Sequence, residues 1–373
     1  MAAITAFLLV YYSIPMIIRI ANNKQLYDSP DNDRKLHLSN TPNLGGVSIF
    51  LSVILAYLCW SFAFEEDVKV HFIITALIIL FFTGIRDDLN AMRATQKLLL
   101  QILAASVIIF GAELRVTHFF GILGFHDIPY WFSICFTYFL IIVIINAVNL
   151  IDGIDGLAAG LSAIISTTFG VWFYLIGLST LCFISFLHAA ALIAFLRFNF
   201  SNNPKLKIFM GDSGSMVVGG ILSVCTLRFL ETCWSNPIYF LEAGPGIAVA
   251  ILIIPLFDTL RVFVIRILQG HSPFRADRNH LHHLLLNLGL THRSSSFIMY
   301  GINIIYIIGA FIFKDSKPTP MLLTLFFSCL ILLNILPFLL KFLLQKMKHN
   351  KYIHHFIKEG HSISTESAVF KGE

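Results

Sequence analysis

The sequence has few charged residues. Asp, Glu, Lys and Arg together make up 13% of its 373 residues, against about a quarter in an ordinary soluble domain. Disordered chains and nucleic-acid-binding domains both depend on charge, so this scarcity excludes those two classes. We therefore expect no nucleic-acid partner.

Paired cysteines are absent as well. The six cysteines stand singly, mostly inside apolar stretches, and no C-x-x-C pair occurs. This spacing excludes a disulfide framework and a zinc ribbon. Residues 1–20 also lack a basic start and a small-residue cleavage site. We therefore interpret them as a retained first membrane span rather than a signal peptide.

Apolar residues are abundant instead. They make up 57% of the chain, and 36 of them are phenylalanine. Many apolar runs are long enough to cross a hydrocarbon core of about 30 Å. The sequence predicts an all-α, polytopic membrane bundle of eleven helices. The predicted spans are about 3–19, 45–64, 70–85, 97–112, 130–148, 157–176, 178–198, 214–230, 246–267, 297–313 and 320–344.

The basic residues indicate which way the bundle faces. Most of the 26 Lys and Arg residues fall in the segments on one side of these spans, and the positive-inside rule makes that side cytoplasmic. We expect a multi-pass protein of the cytoplasmic (inner) membrane with its N-terminus outside and its C-terminus inside. Residues 1–345 form a single membrane domain, and 346–373 form a basic cytoplasmic tail near anionic lipid.

Carboxylates, which are costly inside a bilayer, are concentrated at predicted cytoplasmic ends. Those residues are Asp87, Asp88, Asp152, Asp155, Asp212 and Asp258. A transporter places its polar residues toward the bilayer midplane, so this placement favours chemistry at the cytoplasmic membrane surface. A transporter or flippase of lipid-linked or anionic substrates remains the alternative. Asp258 has Arg261 three residues on, so an ion pair is as good an interpretation as a site role.

The adjacent pair Asp87-Asp88 follows the third span. Neighbouring carboxylates repel each other, which raises at least one pKa or requires a cation. Mg²⁺, held by a few carboxylates and by substrate phosphates, is the natural choice. A solvated pair that caps a helix end accounts for the pattern equally well.

A second acidic motif runs from Asn149 to Gly156, as Asn-Leu-Ile-Asp-Gly-Ile-Asp-Gly. On a helix Asn149, Asp152 and Asp155 share a face and point together. The two glycines would let a ligand or another backbone approach closely. A calcium loop is excluded because the acids lack its spacing; a capping role is left open.

The stretch Phe209-Met210-Gly211-Asp212-Ser213-Gly214-Ser215 precedes the eighth span. Its Gly-Asp-Ser-Gly is superficially similar to a serine-protease segment, but a membrane loop entering a helix is the wrong context. Small residues before a helix instead predict a phosphate-binding turn with free N–H groups. The carboxylate of Asp212 could hold a metal beside it.

A histidine cluster lies in the longest cytoplasmic loop. It comprises His280, His282 and His283, preceded by Arg275 and Arg278. Three histidines in four positions could bind zinc, but the neighbouring arginines favour phosphate anions, which they bind in bidentate fashion. A solvated loop is the third possibility.

These motifs, in this order, resemble the polyprenyl-phosphate N-acetylhexosamine-1-phosphate transferase family (glycosyltransferase family 4). The resemblance runs from about Arg34 to His283. The His-x-His-His form, following Pro-Phe and Asp-Arg, is similar to the N-acetylglucosamine-type enzymes. Where such enzymes often have Pro-Thr-Pro-Arg, this chain has Asn40-Thr41-Pro42-Asn43.

The resemblance implies a reaction and a set of site residues. N-acetylhexosamine 1-phosphate, with N-acetylglucosamine favoured, would pass from a UDP-sugar to polyprenyl (undecaprenyl) phosphate and release UMP, as the first membrane step of cell-wall or surface polysaccharide synthesis. The implied cofactor is Mg²⁺, for which Mn²⁺ can substitute, bound by Asp212 and Asp88. The implied catalytic residues are Asp87, Asp88, Asp152, Asp155 and His282, and the implied substrate-binding residues are Lys97, Asn149, Asn199, Arg275, Arg278, His280 and His283. The oligomeric state, including a homodimer, is left open.

Overall fold

The structure of the chain is a computed structural model. It describes residues 1–24, 41–63, 69–236, 238–270, 280–332, 334–336, 339 and 341–342. Arg275 and Arg278, the segment before the second span and the C-terminal tail lie outside this part of the chain. The predictions made for them therefore stay predictions.

The described residues form a bundle of helices. The helices are α1 (Ala2–Lys24), α2 (Gly45–Trp60), α3 (Val70–Leu89), α4 (Ala94–Ser106), α5 (Tyr130–Ile151), α6 (Leu157–Leu175), α7 (Ser179–Asn199), α8 (Gly211–Ser235), α9 (Gly244–Ile251), α10 (Ile253–Leu268), α11 (Leu281–Asn287), α12 (His292–Ile312) and α13 (Pro318–Leu336). A 3₁₀ turn, Ser61–Ala63, continues α2, and a π-helical turn, Val107–Gly111, continues α4. Among the described residues 10 helices are long and apolar enough to cross a membrane, or 11 if α9 and α10 count as one broken span. The predicted membrane bundle is therefore confirmed.

The ninth predicted span is not a continuous helix, which corrects the sequence-based prediction. Its two halves, α9 and α10, meet at an angle of 80°. Pro255 has no N–H to donate to Ile251, so the backbone ladder is interrupted at this point. The side-chain amide of Asn303 in α12 donates to the Ile251 carbonyl instead, at 3.2 Å. The bend is thus stabilised from a neighbouring helix.

The predicted loop between the fourth and fifth spans contains a short hairpin. Strand β1 (His118–Ile122) pairs antiparallel with β2 (Phe125–Asp127). The alternation is too short to distinguish from the surrounding apolar residues, so the sequence did not predict these strands. They are a small addition to a helical fold.

Helix α8 lies at the centre of the bundle. It contacts α2, α3, α5 and α6, and 89% of its most apolar window is buried. Glycines allow this close packing: a Cβ on Gly84 of α3 would lie 2.3 Å from the Cα of Ser213, and one on Gly46 of α2 would lie 2.0 Å from the backbone nitrogen of Gly214. Small residues of this kind let helix backbones approach in membranes. They bring the ends of α2 and α3 directly onto the start of α8.

Candidate active site

The last turn of α3 caps the first turn of α8. The Oδ1 of Asp88 accepts the backbone N–H of Asp212 at 2.7 Å, and its Oδ2 accepts that of Ser213 at 2.9 Å. A carboxylate at a helix N-terminus satisfies free N–H groups and is stabilised by the helix dipole. Two of the N–H groups predicted to bind phosphate are therefore used by Asp88, which corrects the idea of a fully open phosphate turn.

Gly211 makes this close approach possible. Its φ is +74°, in the left-handed region that favours glycine, and a Cβ there would lie 2.0 Å from the carbonyl oxygen of Asn43 and 2.8 Å from Asp88 Oδ2. The backbone before it also pairs with the segment leading into α2: Phe209 N–H donates to Pro42 at 2.9 Å, and Gly46 N–H donates to Met210 at 2.8 Å. The start of α2 is therefore part of the site's framework.

Lys97 of α4 links two of the predicted acids. Its Nζ lies 2.9 Å from Asp87 Oδ2 and 3.2 Å from Asp212 Oδ2. The Asp87 carboxylate also accepts the Met92 N–H at 2.6 Å. One cation therefore lies between two carboxylates that would otherwise repel each other. The neighbours Asp87 and Asp88 have different partners and are not equivalent.

Asn149 reaches the same place from the last turn of α5. Its amide donates to Asp212 Oδ1 and to Ser215 Oγ, the latter at 2.7 Å. Asp212 is thus held by Asn149 on one oxygen and by Lys97 on the other, and its side chain is still 30% exposed. Residues that are far apart in sequence meet here at one end of the bundle.

The helix predicted to carry Asn149, Asp152 and Asp155 on one face is interrupted. Helix α5 ends at Ile151, and Asp152 to Gly156 form turns. Asp155 therefore has different partners from Asn149, and the single wall expected from helical spacing is wrong. The reason lies in Gly153 and Gly156, because a non-helical turn is inexpensive at glycine.

Asp152 lies among negative charges. Burial raises the pKa of its carboxyl well above the usual value, and the charges of Asp212, Asp88 and Asp155 raise it further. Such a setting favours either a bound proton or a nearby cation. Asp152 thus belongs to the same electrostatic cluster as Asp88 and Asp212.

Asp155 is paired with a lysine and a histidine that the sequence did not single out. Lys207 Nζ lies 2.7 Å from its Oδ2, and His292 Nδ1 lies 3.3 Å from the same oxygen. Burial alone would raise the pKa of Asp155, but hydrogen bonds from His292 and Lys207 and their charge outweigh it and hold the pKa below its usual value. Ser296 adds a bond to the Asp155 carbonyl at 2.9 Å. A lone Lys and a lone His give no sequence pattern from which these partners could be predicted.

Asn199 binds the turn that contains Asp155 through hydrogen bonds to the backbone. Its Oδ1 accepts the Gly156 N–H at 2.5 Å, and its amide donates to the Ile208 carbonyl at 2.9 Å. Gly156 itself has φ +80°, and a Cβ there would lie 1.9 Å from the Phe200 ring. The described contacts of Asn199 are thus with the backbone, and the substrate-binding role implied for it stays a prediction.

An open polar pocket lies beside Asp155. It has a volume of about 360 Å³ and is lined by Asp155, Phe200, Asn202, Thr291, His292 and Arg293. Arg293 lies over the Phe200 ring at 5.7 Å and donates to the Phe200 carbonyl. The pocket combines one aromatic ring with polar side chains, and its volume is within the range of small-molecule sites.

The histidine cluster docks onto the Asp152 turn. A Cβ on Gly153 would lie 2.4 Å from His282 Nε2, so the ring packs directly against this glycine. His282 is 1% exposed, and its burial lowers its pKa to about 3, which leaves the ring neutral. The centroids of the His282 and His283 rings are 4.3 Å apart. His280 is bound by Asp258, whose Oδ2 lies 2.9 Å from its Nδ1.

The donor set at α8 suits Mg²⁺ that is completed by substrate. Among the described residues no three His, Cys, Asp or Glu side chains are arranged to hold a metal ion by themselves. Mg²⁺ prefers oxygen ligands and is commonly held by one or two carboxylates together with substrate phosphates. Asp212 supplies such oxygens, and so does Asp152, which is surrounded by other carboxylates. Both oxygens of Asp88, the second ligand implied by the resemblance, accept backbone N–H groups of α8. The residues therefore fit the ion without forming a closed centre.

Fold and site together define a class of protein. It is a polytopic helical membrane protein that gathers carboxylates, a lysine and histidines at one end of its bundle, which suits chemistry on phosphate-bearing substrates at the membrane surface. Comparison with known proteins identifies the family. The family description "Glycosyl transferase family 4" matches residues 70–230. The chain belongs to this family, and the resemblance inferred from the motifs is confirmed.

Similar proteins come from several bacteria. A probable undecaprenyl-phosphate N-acetylglucosaminyl 1-phosphate transferase of Bacillus subtilis is 32% identical, over 84% of this chain and 85% of the relative. A decaprenyl-phosphate N-acetylglucosaminephosphotransferase of Mycolicibacterium smegmatis is 30% identical, over 91% of this chain and 88% of the relative. An undecaprenyl-phosphate alpha-N-acetylglucosaminyl 1-phosphate transferase of Yersinia pestis is 31% identical, over 74% of each chain. The similarity extends beyond the motifs to most of the bundle.

Proposed function

We propose that the protein transfers N-acetylglucosamine 1-phosphate from UDP-N-acetylglucosamine to polyprenyl phosphate and releases UMP. An oxygen of the lipid phosphate attacks the sugar-bearing phosphorus, a new P–O bond forms, and the P–O bond to UMP breaks. The names of the similar proteins support this reaction. The observation that carries it is the meeting of Asp88, Lys97 and Asp212 at the start of α8.

Charge is the main obstacle to this reaction, because two anions must meet. Unit charges of the same sign 4 Å apart repel by about 4 kcal/mol at an effective dielectric of 20. Lys97 lies between Asp87 and Asp212 and is placed to neutralise an incoming phosphate. Catalysis would thus consist mainly of positioning and of electrostatic stabilisation of the transferring group.

We assign the metal to the same place. Asp212, with Asp88 and Asp152 beside it, would hold Mg²⁺, and the bound ion would neutralise the diphosphate. Asn149 orients Asp212 through a hydrogen bond, and Asp88 holds the first turn of α8 in place.

The polar pocket at Asp155 would bind the nucleotide end of the UDP-sugar. The histidine cluster would face the phosphates of the UDP-sugar.

The orientation in the membrane follows from charge. The site end of the bundle carries Lys97, Lys207 and Arg293 beside the acids, which favours a cytoplasmic site. We place the N-terminus outside, the C-terminus inside and the protein in the inner membrane.

The test uses purified full-length protein with polyprenyl phosphate, Mg²⁺ and a panel of UDP-sugars. We expect UMP release with UDP-N-acetylglucosamine and, by mass spectrometry, a polyprenyl-diphospho-N-acetylglucosamine product. Chelation should abolish turnover, and added Mg²⁺ should restore it. Absence of UMP release with every UDP-sugar would contradict the proposal and favour the transporter alternative, whereas a product with another sugar would correct only the donor.

A further inference from the structure

Asp258 of α10 is a buried carboxylate that receives both of its described hydrogen bonds from one short segment. Its Oδ2 lies 2.9 Å from His280 Nδ1, and its Oδ1 accepts the Leu281 N–H at 2.8 Å. The residue is 0% exposed. Burial of a carboxylate is costly unless it is paired and hydrogen-bonded, so its stability in this position depends on the histidine segment.

Asp258 lies in α10, nearly two helical turns after the break in the ninth span. Helices α9 and α10 meet at 80°, and Asn303 binds the Ile251 carbonyl at the break. Helix α10, which carries Asp258, packs against α5 and α12. Asp258 therefore lies on a helix that is held by contacts outside the histidine segment, while its buried charge is balanced by that segment.

A chain of contacts leads from Asp258 to the acidic cluster. The His280 and His282 rings stack with centroids 5.5 Å apart. The His282 ring packs against Gly153, which directly follows Asp152. A change at Asp258 would thus be transmitted through His280 and His282 to the turn that carries Asp152.

We propose that Asp258 is a positioning residue that fixes His280 with a proton on Nδ1 and directs its Nε2 to a phosphate of the substrate. The proposal rests on the proposed function. A carboxylate at one ring nitrogen determines the tautomer and the ring orientation. With Nδ1 donating to Asp258, Nε2 is the nitrogen left for a ligand, as an acceptor in the neutral ring and as a donor in the cation. Asp258 itself touches no substrate in this account.

A double-mutant cycle tests the proposal in purified full-length protein. Asp258→Asn keeps the size of the side chain but removes the anion opposite Nδ1, and His280→Gln removes the ring. We expect each single variant to lower kcat/KM for UMP release by about 10–100-fold, the usual effect of losing such a supporting carboxylate. If Asp258 acts through His280, the double variant should be no slower than the slower single variant.

Thr259→Val is the matched control. Thr259 is the next residue of α10 and is 8% exposed, and its hydroxyl has no hydrogen-bond partner among the described residues. Its replacement should leave turnover near that of the unmodified protein. Unchanged turnover in folded Asp258→Asn protein, or losses that multiply in the double variant, would overturn the proposal. An inactive unmodified protein would instead refute the proposed function.

A second measurement does not depend on any variant of Asp258. Nitrogen-15 NMR of histidine-labelled protein in lipid nanodiscs, compared with His280→Gln protein, identifies the His280 signals among the 14 histidines. We expect a proton on Nδ1, whether or not Nε2 also carries one. A neutral His280 protonated on Nε2 alone would overturn the proposal even if Asp258→Asn protein fails to fold.

Discussion

Lys97 shows how a single residue can determine the electrostatics of the site. It lies 2.9 Å from Asp87 and 3.2 Å from Asp212, and its side chain is 16% exposed. Without its charge the two carboxylates would repel each other and an incoming phosphate. The same contact would hold Asp212 in a fixed orientation.

Lys97→Met should therefore lower turnover. We expect a loss of about 10²-fold or more in UMP release, since single stabilising donors in such sites have effects of this size. Lys205→Met, which removes an exposed lysine, is the control and should leave turnover unchanged. Equal rates for both variants would remove Lys97 from the site.

The single residue Asp155 makes the stability of the fold depend on pH. Its pKa is held below the usual value by His292 and Lys207. A carboxyl whose pKa is lower in the folded than in the unfolded protein stabilises the fold fully above the unfolded pKa, about 3.9, and loses that contribution as pH falls through the folded pKa. The stabilisation is thus present at neutral pH and absent in strong acid.

Lys207→Met should lower the thermal unfolding midpoint by several degrees at pH 7, because it breaks a partly buried ion pair and leaves Asp155 without its lysine. The difference from the unmodified protein should shrink as pH falls below about 3.9. A difference that is independent of pH would mean that Lys207 stabilises the protein through packing alone.

At the scale of helices, glycine determines how closely α3 approaches α8. A Cβ on Gly84 would lie 2.3 Å from the Cα of Ser213, and backbone cannot move aside as a flexible side chain can. The contact sits one turn before Asp87 and Asp88. Helix packing and site geometry therefore depend on the same residue.

Gly84→Ala should reduce both thermal stability and turnover. Overpacking costs about 1–3 kcal/mol in well-packed cores, and displacement of α3 would also loosen the Asp88 cap on α8. Gly309→Ala is the matched control, since a Cβ at Gly309 of α12 meets nothing within 4 Å. A stable, active Gly84→Ala protein would contradict this account of the packing.

Most helices could be predicted from the sequence because long apolar runs in a chain so poor in charge are stable only inside a bilayer, where the backbone must be helical. The break at Leu252 was not predicted because the apolar run continues through it, although Pro255 lies near the middle of the predicted span, where a proline commonly kinks a helix. The acids of the site were identifiable as charges at the ends of apolar runs. Their partners Lys207 and His292 were not, because a single lysine and a single histidine form no recognisable motif until the fold brings them to Asp155.

At the scale of the whole molecule, the proposed orientation is open to a direct test. Asn202 lies in the polar pocket beside Asp155, and Ser316 lies between α12 and α13 at the predicted outer face. In a background without native cysteines, Ser316→Cys should react with a membrane-impermeant maleimide added outside intact cells. Asn202→Cys should react only after the membrane is opened, and the reverse pattern would invert the topology.

The central claim is that acids from separate helices form one catalytic centre around Asp212. The most direct measurement is UMP release from UDP-N-acetylglucosamine by purified Asp212→Asn protein, beside Asp315→Asn, which alters an exposed carboxylate far along the chain. The account predicts a loss of about 10²–10³-fold for Asp212→Asn, with its thermal unfolding midpoint retained, and normal turnover for Asp315→Asn. Near-normal turnover in folded Asp212→Asn protein would contradict it.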